Sequence, residues 1–129
     1  MNIIDRGSLN LRKLKIIYSV LKEFAWGFNF YTSERSLKEL GAEIEKLEII
    51  LSRLKKIFNS QEFFKEWGCY DETQKVDFSE DEVKVMIKAL DKIFDYLDDD
   101  DIDTRVGYSP YEIKETRETM ENFLALTLF

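Results

Sequence analysis

Between Leu37 and Phe58, the apolar residues Leu37, Leu40, Ile44, Leu47, Leu51, Leu54 and Phe58 follow one another at spacings of three, four, three, four, three and four. That rhythm keeps all of them on one side of an α-helix and is the pattern of a helix packed along another helix. Ile50 and Ile57 widen the stripe, and Ser33 precedes Glu34 as an N-cap. One helix of about 24 residues, about 36 Å long, is expected, with Gly41 as a tolerated weakness inside it. A seam of that length needs a long partner. An antiparallel hairpin with the first helix of the same chain is the expected solution, and a homodimeric coiled coil is the competing one.

The partner is found upstream. Leu11, Leu14, Ile17/Tyr18, Leu21 and Phe24 recur at helical spacing, so a helix is expected from about Leu11 to Phe24. Residues 25–31 read as a helix end followed by an aromatic loop, although Trp26, Phe28 and Phe30 alternate like a strand. Downstream, Gln61 to Trp67 reads as a short helix capped by Ser60 and ended by Gly68, and Cys69 to Asp77 as a surface loop. Two sharp helix starts follow. Ser79-Glu80-Asp81-Glu82 is a capping box with Phe78 and Val83 placed as a hydrophobic staple. Ser109-Pro110-Tyr111-Glu112 repeats it, with Pro110 at the first helical position. The helix from Glu80 offers Val83, Ile87, Leu90, Phe94 and Leu97 to the core, with Met86 and Ile93 beside them. The last helix offers Ile113, the stem of Arg117, Met120, Phe123, Leu124 and either Leu126 or Leu128. The expected architecture is an all-α bundle of about four long helices plus one short helix, with no sheet. It forms a single domain over residues 1–129, whose 44% hydrophobic content supplies a full core.

The residue inventory excludes most catalytic chemistry. There is no histidine, one cysteine (Cys69), one proline and five glycines. Ser-His-Asp and Cys-His catalysis, His-containing zinc sites, CxxC redox pairs and glycine-rich phosphate loops all drop out. A carboxylate pair or di-metal bundle is expected to be absent as well, because the first needs a deep cleft and the second Glu-x-x-His motifs. No enzyme and no cofactor are expected. The segment from Met1 to Gly7 lacks the basic and apolar regions of a secretory signal, and no apolar run suits a membrane span. The expected compartment is the cytoplasm.

Charge is distributed unevenly. Residues 1–58 carry 11 Lys+Arg against 7 Asp+Glu, net +4, and residues 59–129 carry 8 against 19, net −11. Such a field repels nucleic acid and anionic lipid and draws a basic protein partner. Arg12, Lys13, Lys15 and Lys22 are expected to balance the acidic half within the fold. The candidate partner-binding residues are the run Asp98, Asp99, Asp100, Asp101 and Asp103, extended by Asp91 and Asp95 at one-turn steps before it. At the C-terminal end of a helix these carboxylates would oppose the macrodipole. The run is not an EF-hand: aligned on Asp99, Thr104 stands where the turn needs glycine and Pro110 where the bidentate Glu belongs. No metal is expected. Most aromatic residues are expected in the core, but Trp26 and Trp67 stand beside glycine at element ends, where a ring can be partly exposed. Trp67, Tyr70, Asp71 and Glu72 form a second candidate contact, an aromatic anchor beside an acidic rim.

The stretch FSEDEVKVMIKALDKIFDYLDDDDIDTRVGYSPYEIKETRETMENFL, from Phe78 to Leu124, carries Glu82 and an Ala89-Leu90 step in one capped helix. A Thr104-Arg105-Val106-Gly107 turn follows, then a second capped helix with Glu112. Over this third of the chain it resembles small acidic bacterial immunity proteins of contact-dependent and other polymorphic toxin systems. The resemblance implies a catalytically inert cytoplasmic inhibitor that neutralises a cognate basic toxin, a nuclease, by covering its active site with an acidic surface. It assigns no binding residue. In the turn, Gly107 is expected at positive φ and Arg105 beside one of the neighbouring aspartates. Two other readings compete: a helical adaptor dimerising through the heptad helix, and a phage-encoded DNA mimic that inhibits a host defence enzyme. The expected solution state is a monomer or weak homodimer.

Overall fold

The computed structural model describes residues 3–4, 8–27, 38, 40–41, 43–60, 73–75 and 78–127. Helices dominate them: α1 (Leu11–Lys22), α2 (Ile44–Ser60), α3 (Glu80–Tyr96), the single turn α4 (Asp99–Asp101) and α5 (Pro110–Thr127). Two wider π-helical turns extend the set, Glu23–Gly27 after α1 and Ile102–Val106 after α4. Among the described residues the architecture is therefore an all-α bundle, with four long helices and a short one. The short helix is the acidic turn, while the one expected at 61–67 lies outside the described residues.

Among the described residues no sheet layer forms, but two short antiparallel ladders do. β1 (Ile3–Ile4) pairs with β4 (Phe78–Ser79), and β2 (Ser8–Asn10) pairs with β3 (Thr73–Lys75). They correct the reading of 69–77 as free surface loop, since Thr73–Lys75 is hydrogen-bonded to the lead-in of α1. Each strand is only two or three residues long, shorter than the run over which alternation can be read, so periodicity does not announce them.

α1 lies at the centre. Leu14, Ile16, Ile17, Val20, Leu21 and Phe24 are all buried, and the helix packs against α2, α3, α5 and the 102–106 turn. The burial of Ile16 and Val20, off the expected stripe, marks a helix covered on more than one side. α2 presents Leu47, Ile50, Leu51 and Leu54 to this core. The pairing of the heptad helix with the first helix is thus intramolecular. Its seam is consumed inside the monomer, which removes the surface that a coiled-coil dimer through Leu47 or Leu51 needs. In α3, Val83, Met86, Leu90 and Ile93 are buried together with Val85 and Ala89, and Leu97 is buried just past its end. Ile87 and Phe94 lie half-buried at the margin, with Lys114 Nζ 5.2 Å from the Phe94 ring centroid.

One expectation is overturned. The heptad helix is not continuous: Gly41 takes φ +68° and its N–H donates to the Lys38 carbonyl at 3.1 Å. A second helix start follows, with the Glu43 carbonyl accepting from Lys46 and Leu47 at 3.0 and 3.3 Å. The heptad spacing survives the break because Leu40 and Leu47 are buried on either side of it. Periodicity alone does not see it. At positive φ an L side chain is strained, so Gly41→Ala is expected to destabilise the protein by about 1 kcal/mol. In a continuous helix the same change would stabilise by about 0.5–1 kcal/mol. The sign of the shift in denaturant midpoint separates the two geometries.

Candidate functional site

The helix starts that frame the site form as their sequences dictate. Ser79 Oγ accepts from Glu82 N–H at 3.2 Å, and Glu82 Oε1 accepts from Ser79 N–H at 2.9 Å, completing the capping box of α3. The same buried Glu82 carboxylate accepts from Arg53 Nη1 at 2.7 Å, tying α2 to the start of α3. At α5, Ser109 Oγ accepts from Glu112 N–H at 3.2 Å. There the returning half of the box is absent, because Glu112 Oε1 accepts instead from Arg12 Nε and Nη2 at 3.1 and 2.6 Å.

Lys13 pairs with Glu115 at 3.2 Å one turn further along α5. Arg12 and Lys13 thus balance the acidic half within the fold, as expected. Lys22 rests over the Tyr18 ring at 5.8 Å.

The acidic run is built differently from the expectation. α3 ends at Tyr96, and Leu97 is already extended at φ −129°, ψ 137°. Asp98 then caps a new helical turn, its Oδ1 accepting from Asp101 N–H at 2.8 Å and its carbonyl accepting from Ile102 N–H at 2.9 Å. Asp99, Asp100 and Asp101 occupy the first turn. The carboxylates thus sit at a positive helix end and are favoured by the local dipoles that they were expected to oppose. Buried Leu97, Ile102 and Val106 anchor the segment beneath them. Gly107 closes it at φ +87°, as expected, donating to the Ile102 carbonyl at 3.2 Å.

Arg105 corrects a second expectation. Its Nε lies 2.8 Å from Glu23 Oε1, in the π turn of α1, and not beside an aspartate. Glu23 is only 7% exposed. Oε1 receives no hydrogen bond, so this contact is a coulombic pairing outside the N–H direction. One residue on, the Phe24 and Tyr96 rings meet edge to face at 5.7 Å. These two contacts bring the end of α1, the end of α3 and the acidic segment to one end of the bundle. The wider π turn lets Glu23, Phe24 and Ala25 all face inward. Trp26, next in line, points out and is 57% exposed.

The candidate residues therefore separate into groups. Asp98, Asp99, Asp100, Asp101 and Asp103 are exposed, and among the described residues none of them makes an ion pair. Asp91 is engaged by Arg117 Nη1 at 2.6 Å and Asp95 by Lys92 at 3.7 Å, so both are partly neutralised within the fold. Trp67, Tyr70, Asp71 and Glu72 lie outside the described residues. Among the described residues no group of three or more acidic or cysteine side chains is arranged to hold a metal ion. No helix there is long and apolar enough to cross a membrane. Trp26, Ile49 and Tyr111 are exposed large hydrophobic residues outside the expected contacts, and of the three only Trp26 carries a signal in the sequence, the glycine beside it.

Removing Arg105 leaves Glu23 buried without its cation. Arg105→Ala is expected to cost about 1–3 kcal/mol, above the usual worth of a surface pair. A double-mutant cycle with Glu23→Gln, followed by chemical denaturation, should return a positive coupling energy.

Comparison of the chain with protein-family models, with curated proteins and with solved structures returns no match.

Proposed function

We propose that this protein is a non-catalytic protein-binding inhibitor of the immunity type, which neutralises a basic toxin, a nuclease, by covering its active site with an acidic surface. The observation that carries the reading is the exposed run Asp98–Asp103, which makes no ion pair among the described residues and is held by a capped turn on buried Leu97, Ile102 and Val106. A nuclease must be cationic where it grips phosphate. An acidic cover therefore gains electrostatic steering and excludes substrate in the same contact. The net charge of −7, concentrated in the second half, acts in the same direction. The resemblance over residues 78–124 to small acidic immunity proteins adds a biological setting for that chemistry. The adaptor reading loses its support where Leu47 and Leu51 are buried in the monomer.

The test is binding of the purified chain to the product of the adjacent gene, followed by surface plasmon resonance at low and moderate salt. A basic nuclease should be retained and inhibited. Asp99→Lys, Asp100→Lys and Asp103→Lys together should slow association about tenfold or more at low salt. Asp98 is left intact because it caps the turn. An association rate that ignores the triple reversal would remove the acidic turn from the interface. A purified chain that sediments as a concentration-dependent dimer and retains no cationic protein would overturn the inhibitor reading.

A further inference from the structure

Electrostatic steering brings a partner in but holds it weakly, because exposed carboxylates give little net affinity once screened. An interface of this kind needs an apolar or aromatic anchor, and Trp is the residue most often found in that role. Ile49, Tyr111 and Trp26 are the large hydrophobic side chains exposed among the described residues. Ile49 lies on α2. Tyr111 lies in the first turn of α5. Trp26 differs in its support: it projects from a turn whose preceding residues Glu23, Phe24 and Ala25 are buried, and Glu23 pairs with Arg105 inside the segment that carries the aspartates.

That pairing fixes a distance. Trp26 is three residues from Glu23 and Asp103 is two from Arg105, all within helical turns that span only about 5–6 Å over those steps, so with the two paired side chains the Cα atoms of Trp26 and Asp103 lie at most about 25 Å apart. A standard interface buries about 800 Å² per partner, a patch about 30 Å across. Both fit within one footprint. An indole face and a carboxylate at that spacing suit one chemistry above others: guanidinium groups, which stack on indole and pair with carboxylates through a planar fork.

Building on the inhibitor reading, we infer that Trp26 is the aromatic anchor of the interface, taking an arginine of the partner on its exposed face while the Asp98–Asp103 turn engages neighbouring cations. The Glu23–Arg105 pair is a positioning contact that holds the two halves of this surface together.

The experiment titrates the full chain with an octa-arginine peptide and, separately, an octa-lysine peptide at low salt, reading affinity by calorimetry. Octa-arginine should bind more tightly than octa-lysine. Trp26→Ala should weaken octa-arginine by about two- to fivefold and shrink its advantage over octa-lysine, while Tyr111→Ala changes neither. Thermal melting of each variant checks that the exposed substitutions leave the fold intact. Octa-arginine binding that falls in the Asp99→Lys, Asp100→Lys, Asp103→Lys protein but is unchanged in Trp26→Ala would overturn the anchor and leave the acidic-surface reading standing. Octa-arginine binding that is absent, or indifferent to the triple reversal, would overturn both.

Discussion

The enclosure of α1 is the constraint on which the other elements depend. Six large apolar side chains of a short helix and its π turn are removed from water, each contributing about 1.5–3 kcal/mol of transfer free energy. A helix covered on several sides must also find partners for whatever polar groups it carries, because an unpaired desolvated charge costs several kcal/mol. Buried Glu23 finds Arg105, while Arg12 and Lys13, at the solvent-facing margin, pair with Glu112 and Glu115. The acid-rich second half is therefore first of all the counter-surface of α1. Its excess of carboxylates is partly spent in closing the fold, which explains why the basic character of the first half does not survive as a free basic face along these residues.

How far the sequence discloses this structure depends on the range over which each signal acts. Both capped helix starts are legible because the serine cap and the N–H that it accepts from lie within four residues, at Ser79–Glu82 and at Ser109–Glu112. The heptad seam is legible because burial repeats with the helix. Gly41 is not, since a helix can break and resume without disturbing a three-four rhythm, and only the backbone angle distinguishes a tolerated glycine from a required one. The ladders are hidden for a related reason: they join segments more than sixty residues apart through main-chain bonds alone. Arg105 illustrates the third kind of failure. Local reasoning assigns it to the nearest aspartate, whereas the fold places a buried carboxylate from position 23 beside it, and a desolvated partner outbids solvated ones.

The acidic run shows how one backbone angle can reverse an electrostatic argument. Read as the tail of α3, its carboxylates accumulate against a negative helix end. With Leu97 extended, Asp98 becomes the cap and Asp99 to Asp101 the first turn of the next segment, where the local dipoles favour negative charge. The consequence reaches binding. Carboxylates fraying from a helix end would need ordering before they met a partner, whereas a capped turn seated on Leu97, Ile102 and Val106 presents them already ordered and loses less entropy on contact.

The candidate surface therefore combines two elements with different physical tasks. The aspartates supply a field that acts over about a Debye length, 8–10 Å at physiological salt, and sets the approach. In the proposed interface, a ring such as Trp26 would act only at contact and would govern how long the partner stays, as most affinity differences do through dissociation. Neither element alone makes an inhibitor: a field without an anchor attracts any cation, and an anchor without a field selects none. Their union at one end of the bundle rests on the Glu23–Arg105 and Phe24–Tyr96 contacts. These contacts also seal the end of α1, so the surface cannot be rearranged without loosening the core helix.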